Sequence, residues 1–135
     1  MHKYLLLAKS FGDQHTFDEY LEHHVCAIIV KGGRVLSVGY NKSGTNAFVR
    51  HYQKIAKHEY CETTHAEQDA ILKVRSKTDL RGSKIFVVRL RSSNSPLGEL
   101  GLARPCPICE EVLKSYGIKR AYYSISDNEF GVLSL

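Results

Sequence analysis

"TTHAEQDAI", residues 63–71, is the stretch around which the rest of this chain is read. Ala66, Ala70 and Ile71, followed by Val74, recur at helical spacing, so "THAEQDAILKVRSK" is predicted to be a helix with one apolar face. The start of that helix carries His65 and Glu67, two polar side chains two residues apart in an apolar run. Such groups are tolerated in a buried helix when something meets them, and the neighbouring elements show what could.

Downstream, Asp79 and Gly82 break the pattern, and "KIFVVRL" is a continuous apolar run, as in a strand covered on both faces. "RSSNSPLGELGLAR" reads as a loop. "PCPICEEVLKSYG" is then a helix with prolines at its entrance and Gly117 as its stop, and "KRAYYSIS" is a further strand. Upstream, "HKYLLLAKS" is a short helix, and "EHHVCAIIVKGGRVLSVGYN" is a hairpin turning at Lys31-Gly32-Gly33. Between hairpin and central helix runs a polar segment, Lys42 to Glu62, with "KSGTN" a loop and "FVRHYQKIAKH" a short helix. Strands that alternate with helices predict an α/β fold whose last strands are parallel, joined by right-handed crossovers.

With 135 residues the chain is expected to form a single domain, 1–135, with a core large enough to need no disulfides. Apolar runs such as "YLLLA" and "VCAIIV" are too short to span a bilayer, and no signal-peptide cleavage pattern follows the first. No membrane partner is expected. Four unevenly spaced cysteines fit metal binding or buried thiols better than a disulfide framework, which places the protein in a reducing cytoplasm. Cys26, inside an apolar strand, is read as a small core residue. The net charge of +5 suits an anionic partner, although the basic residues form only short clusters such as "KVRSK" and "RLR".

Cys106 and Cys109 stand in Cys-x-x-Cys spacing at a helix N-terminus, where backbone N–H groups and the helix dipole favour thiolates. Such a pair fills half of a tetrahedral zinc shell. His65, opening the other long helix, is the natural third ligand, because two helices that begin at one sheet edge bring their N-termini together. Three protein ligands leave one position for water, whose pKa zinc lowers towards neutrality. Glu67 is then placed to take a proton from that water and later deliver it to a leaving group. The competing reading adds Cys61, four residues before His65, to make a closed Cys₃His structural site, a non-catalytic zinc module in which Glu67 has no role.

The combined pattern H-x-E…P-C-x-x-C is the signature of zinc nucleobase deaminases. On "HAEQDAI", "RPCPIC" and the "GYN" of Gly39 to Asn41, the chain resembles the cytidine deaminase superfamily, in particular its deoxycytidylate-deaminase-like and tRNA-adenosine-deaminase-like branch. The likeness runs from Val25 to about Ile125. It implies a three-layer α-β-α fold around a mixed sheet of about five strands, with zinc on His65, Cys106 and Cys109 and Glu67 as proton shuttle. It further implies that the backbone of Ala66 contacts the base, that Asn41 hydrogen-bonds sugar or base, and that the protein is a homo-oligomer.

The substrate is less closely specified. Attack at C4 of cytosine or C6 of adenine are both within this chemistry. A small-molecule pyrimidine nucleotide or nucleoside, dCMP- or CMP-like, is the favoured substrate. The chain is compact, its zinc ligand is a histidine, and the Lys42–Glu62 segment could close over a ligand with Lys42, Arg50 or Lys54 near a phosphate. Arg104, just before Pro105, is a candidate phosphate contact, and Tyr123 a candidate stacking surface for the base, with the core as its other destination. The alternative partner is RNA or single-stranded DNA, which positive charge and tyrosines would suit. His23, His24, His51 and His58 are read as surface or mouth residues rather than ligands.

Overall fold

The computed structural model describes residues 1–44, 63–92 and 95–135. The predicted helix "FVRHYQKIAKH", with Arg50, His51, Lys54 and His58, and Cys61 beyond it, lie outside the described residues. In chain order the elements are α1 (Lys3–Gln14), β1 (His24–Lys31), β2 (Arg34–Tyr40), β3 (Lys42–Ser43), β4 (Thr63–Thr64), α2 (Ala66–Lys73) and a 3₁₀ turn (Lys77–Leu80). There follow β5 (Lys84–Leu90), β6 (Leu100–Gly101), α3 (Pro107–Ser115), β7 (Arg120–Ser124) and β8 (Phe130–Ser134).

The main sheet runs in the order β2-β1-β5-β7-β8, with β6 paired to β5. β1 is antiparallel to both β2 and β5, whereas β5 and β7 are parallel, joined by the crossover through α3. The mixed α/β sheet anticipated from the sequence is therefore present. β8 lay beyond the elements read from the sequence and returns antiparallel along β7. Its alternate residues are exposed, so "FGVLS" carries no continuous apolar run to announce it.

β1 and β5 lie at the centre because their side chains are apolar on both faces. Ala27 and Ile29 of β1, with Ile85 and Val87 of β5, pack against Ala70 and Ile71 of α2 and Val112 and Leu113 of α3. Cys26, Ile28 and Val30, with Phe86 and Val88, pack against Leu5 and Ala8 of α1. The outcome is three layers, α1 on one side and α2 with α3 on the other. Cys26 is a fully buried free thiol, and burial pushes its pKa up to about 12.

Local chemistry sets the element ends. Gly32 and Gly33 take φ of 58° and 76°, the left-handed backbone that the β1–β2 turn requires. α2 is shorter than its apolar spacing predicts and ends at Lys73. Lys77 folds back and donates to the carbonyls of Ile71, Leu72 and Val74, satisfying helix-end acceptors that another turn of helix would otherwise have used. No helix among the described residues is long and apolar enough to cross a membrane.

Candidate active site

The N-termini of α2 and α3 open on the same side of the sheet, and each begins with a chemically active residue. His65 is the N-cap of α2, where its backbone N–H donates to the side chain of Gln68 at 3.0 Å. Cys106 is the N-cap of α3, where Pro107 occupies the first helical position and needs no N–H partner. Its sulfur accepts from the backbone N–H of Cys109 at 3.5 Å.

These caps bring His65, Cys106 and Cys109 together although 41 residues separate His65 from Cys106. Nδ1 of His65 lies 3.2 Å from Cys109 Sγ and 3.5 Å from Cys106 Sγ, and all three ligand atoms fall within 4.8 Å of one another. Zinc with ordinary bond lengths and tetrahedral angles spaces a nitrogen and a sulfur about 3.6 Å apart, so the three side chains fit that ion. The two sulfurs share a hydrogen bond. It holds the Cys106 thiol down to about 4, and together with burial it pushes Cys109 well above its ordinary range. A divalent cation would hold both as thiolates.

Glu67, almost wholly buried in the first turn of α2, reaches towards the same sulfurs. Burial raises its carboxyl above the usual range, opposed chiefly by the His65 charge. A cavity of about 200 Å³ opens over these groups, lined among others by Asn41, His65, Ala66, Glu67, Arg104 and Cys106.

Asn41 is held in place by the end of β1. Its Oδ1 accepts from the backbone N–H of Val25 at 2.8 Å, and its Nδ2 donates to the carbonyl of His23 at 2.7 Å. The β3–β4 pairing, Lys42 with Thr64 and Ser43 with Thr63, joins the chain after Asn41 to the residues that precede His65. Arg104 is exposed at the cavity, with its guanidinium 5.9 Å from the Tyr123 ring centroid. Tyr123 itself is 8 % exposed, belongs to the core beneath α3 and is not among the residues that line the cavity. Its ring occupies the space where a side chain on Gly131 would stand, so β8 closes over it. Of the mouth histidines, His23 is exposed and its Nδ1 lies 2.8 Å from Arg89 Nη2.

Three supporting residues escaped the sequence reading. Asp69 is buried, and its carboxylate takes Lys42 at 2.7 Å, Lys73 at 2.6 Å and the backbone N–H of Tyr40 at 3.0 Å. The Asp69/Lys73 pair at i,i+4 was a readable signal, but its tie to β2 was not. Ser37 of β2 donates to the carbonyl of Ala70 at 2.7 Å, a second strap between strand and helix. Ser124 at the end of β7 donates to the carbonyl of Gly101 at 2.7 Å, and its own carbonyl accepts from Ala103 N–H at 2.9 Å. That anchors the segment bearing Arg104 and leading into Cys106.

Residues 1–125 match the family model described as the cytidine and deoxycytidylate deaminase zinc-binding region. Among solved structures, the dCMP deaminase of cyanophage S-TIM5 in complex with dCMP and dUMP is 26% identical. It matches over 89% of this chain and 76% of its own, with a TM-score of 0.54. The cytidine deaminase of Burkholderia pseudomallei is 21% identical over 99% of this chain and 93% of its own, with a TM-score of 0.62, a likeness of fold. No curated protein sequence matches the chain.

Proposed function

The chain belongs to the cytidine and deoxycytidylate deaminase family, a hydrolytic deaminase with zinc as its cofactor, and from that premise we propose that it converts a free cytosine nucleotide or nucleoside, dCMP- or CMP-like, to the uracil form. The observation that carries the reading is Glu67, a buried carboxyl in the same cavity as His65 and Cys106. Zinc bound by His65, Cys106 and Cys109 would supply a Lewis acid that makes water a nucleophile near neutral pH.

The chain's own groups do the rest. Glu67 accepts a proton from water as the oxygen bonds to C4 of the ring and passes it to N3, then takes the proton of the new C4 hydroxyl and delivers it to the exocyclic nitrogen. The C4–N bond breaks, ammonia leaves and the carbonyl of the uracil form remains. Asn41 and the backbone of Ala66 line the cavity and are assigned to hold sugar and base. Arg104 is assigned to the substrate's phosphate, because it is a cation at the cavity whose guanidinium is steadied by the Tyr123 ring. Tyr123 supports that arginine from below; buried in the core and absent from the cavity lining, it is not placed to stack on the base. The 26% identical cyanophage enzyme, solved with dCMP and dUMP, supports a monophosphate.

Ammonia release from dCMP, CMP, deoxycytidine, cytidine, adenosine and short single-stranded DNA and RNA tests the reading. Turnover of a monophosphate, with an Arg104→Ala variant that raises KM for the monophosphate and leaves KM for the nucleoside in place, is the expected result. Turnover of oligonucleotides alone would replace it with the nucleic-acid reading, which the +5 charge would suit. Ligand cysteines that must stay reduced fit a cytoplasmic setting. Exposed Leu6, Phe130 and Val132 offer apolar surface to a homo-oligomer, which light scattering would find or refute.

A further inference from the structure

A second cavity, of about 320 Å³, lies at the other end of the sheet, where β1 turns into β2 and β5 begins. The catalytic cavity takes in Val25 near the start of β1, and the second takes in Val30 near its end, about 17 Å apart along an extended strand. The two also lie on opposite faces. Phe86, in the second cavity, packs on the α1 side, whereas Ala66 of the catalytic cavity packs with α2.

Its lining combines cations with aromatic rings. Lys3 comes from α1, Lys31 from the end of β1 and Lys84 from the start of β5, three separate elements whose side chains converge on one opening. No acidic residue lines it, and among the described residues none of the three lysines enters an ion pair. The nearest acid in the adjoining groove is Asp79, which shares that groove with Lys31 and Arg34. Arg120 adds a further cation at the register position of Lys84 on β7.

The aromatic wall is built from His2, Tyr4 and Phe86, with His2 and Tyr4 centred 4.9 and 5.1 Å from the Phe86 ring. Lys3 Nζ stands 5.1 Å from the Tyr4 ring centroid. α1 opens here with no acidic residue in its first turn, its N-terminus capped by the His2 ring, whose Nδ1 accepts from the Tyr4 backbone N–H at 3.1 Å. On the remaining side, Gly32 and Gly82 have no atom within 4 Å of where a Cβ would be, which leaves that wall open.

Unpaired cations beside ring faces are the chemistry that recognises a phosphate attached to an aromatic base. We infer that this cavity is a second binding site for a nucleotide, its phosphates on Lys3, Lys31 and Lys84 and its base against Tyr4 and His2. The ligand is a free nucleotide or one residue of a single strand, since both present the same two groups. The inference does not depend on the reaction assigned to the other cavity.

Calorimetric titration of the full chain with ATP, inorganic tripolyphosphate and a short single-stranded DNA tests it, on wild type and on Lys31→Glu, Lys84→Glu and a distant control, Lys114→Glu. Lys31 and Lys114 are exposed and Lys84 is half-buried, and unchanged melting temperatures confirm folded variants. The expected result is ATP binding weakened about tenfold or more by Lys31→Glu and by Lys84→Glu, with Lys114→Glu close to wild type and tripolyphosphate weaker than ATP. DNA binding tighter than ATP with the same dependence on the two lysines would support the site and assign its occupant to a strand. No binding by ATP or DNA, equal loss in Lys114→Glu, or tripolyphosphate as tight as ATP would overturn it.

Discussion

Gly39 of β2 and Ala70 of α2 meet backbone against backbone: a Cβ on Gly39 would collide with the amide nitrogen of Ala70 and the carbonyl of Ala66. This contact sets how deeply the helix carrying Glu67 lies on the sheet. Gly39→Ala forces that helix outward, so a loss of about 1–3 kcal/mol is expected from overpacking. Ammonia release should fall with it, because Glu67 and His65 move with the helix. A denaturation midpoint equal to wild type would refute the close approach.

Glu67→Gln keeps shape and burial but cannot carry a proton as a carboxylate does. Turnover should fall by about 10²–10⁴-fold or more, while zinc, measured by atomic emission, stays at the wild-type level. Retained activity would sink the proton-shuttle role of Glu67, whereas a wild-type protein that holds zinc and turns over nothing would favour the closed structural site.

Dialysis against a chelator should abolish activity and lower the melting temperature, since the ion ties α2 to α3. Zinc should restore both and magnesium neither, given a donor set of one imidazole and two thiols. Cys109→Ala should reproduce the metal-free state. A chelated protein with full turnover would exclude the assignment.

Asp69 makes a prediction about pH. Burial opposes its ionisation, but hydrogen bonds from Lys42, Lys73 and the amide of Tyr40 outweigh it and hold the carboxyl below the usual range. Its stabilisation is complete above the unfolded value of about 4 and is lost as pH falls through the lower folded value. Asp69→Asn should therefore cost about 1–3 kcal/mol at neutral pH, and the gap from wild type should close in acid. A gap that stays constant down to about pH 2 would show that charge on Asp69 is not its source.

The zinc ligands were legible because each half of the site is local: a motif at a helix start, written in consecutive residues. The parallel pair flanking α3 followed from the alternation of helix and strand, and the two-sided burial of β5 from its continuous apolar run, whereas the order of the strands in the sheet was not readable. What stayed hidden depends on contacts between distant segments. Asp69 and Lys42 are 27 positions apart in sequence and meet only once α2 lies on β2. Ser124 gains its partners from a loop that pairs with β5 for just two residues. The length of α2 was overestimated because apolar spacing continues to Val74, whereas Lys77, outside the pattern, supplies the cap that ends the helix.

Asn41 shows how a backbone can confer handedness on a symmetric-looking group. An amide rotated by half a turn has nearly the same shape with its donor and acceptor exchanged. Val25 presents an N–H and His23 a carbonyl, so only one of the two orientations is satisfied. One proton and one lone pair of that amide are left over, and the same two strand contacts determine where each can point. Whatever enters the cavity meets a polarity written by the strand rather than by the ligand. An aspartate in that place, equal in size, could not donate to His23 and would erase the message without changing the outline.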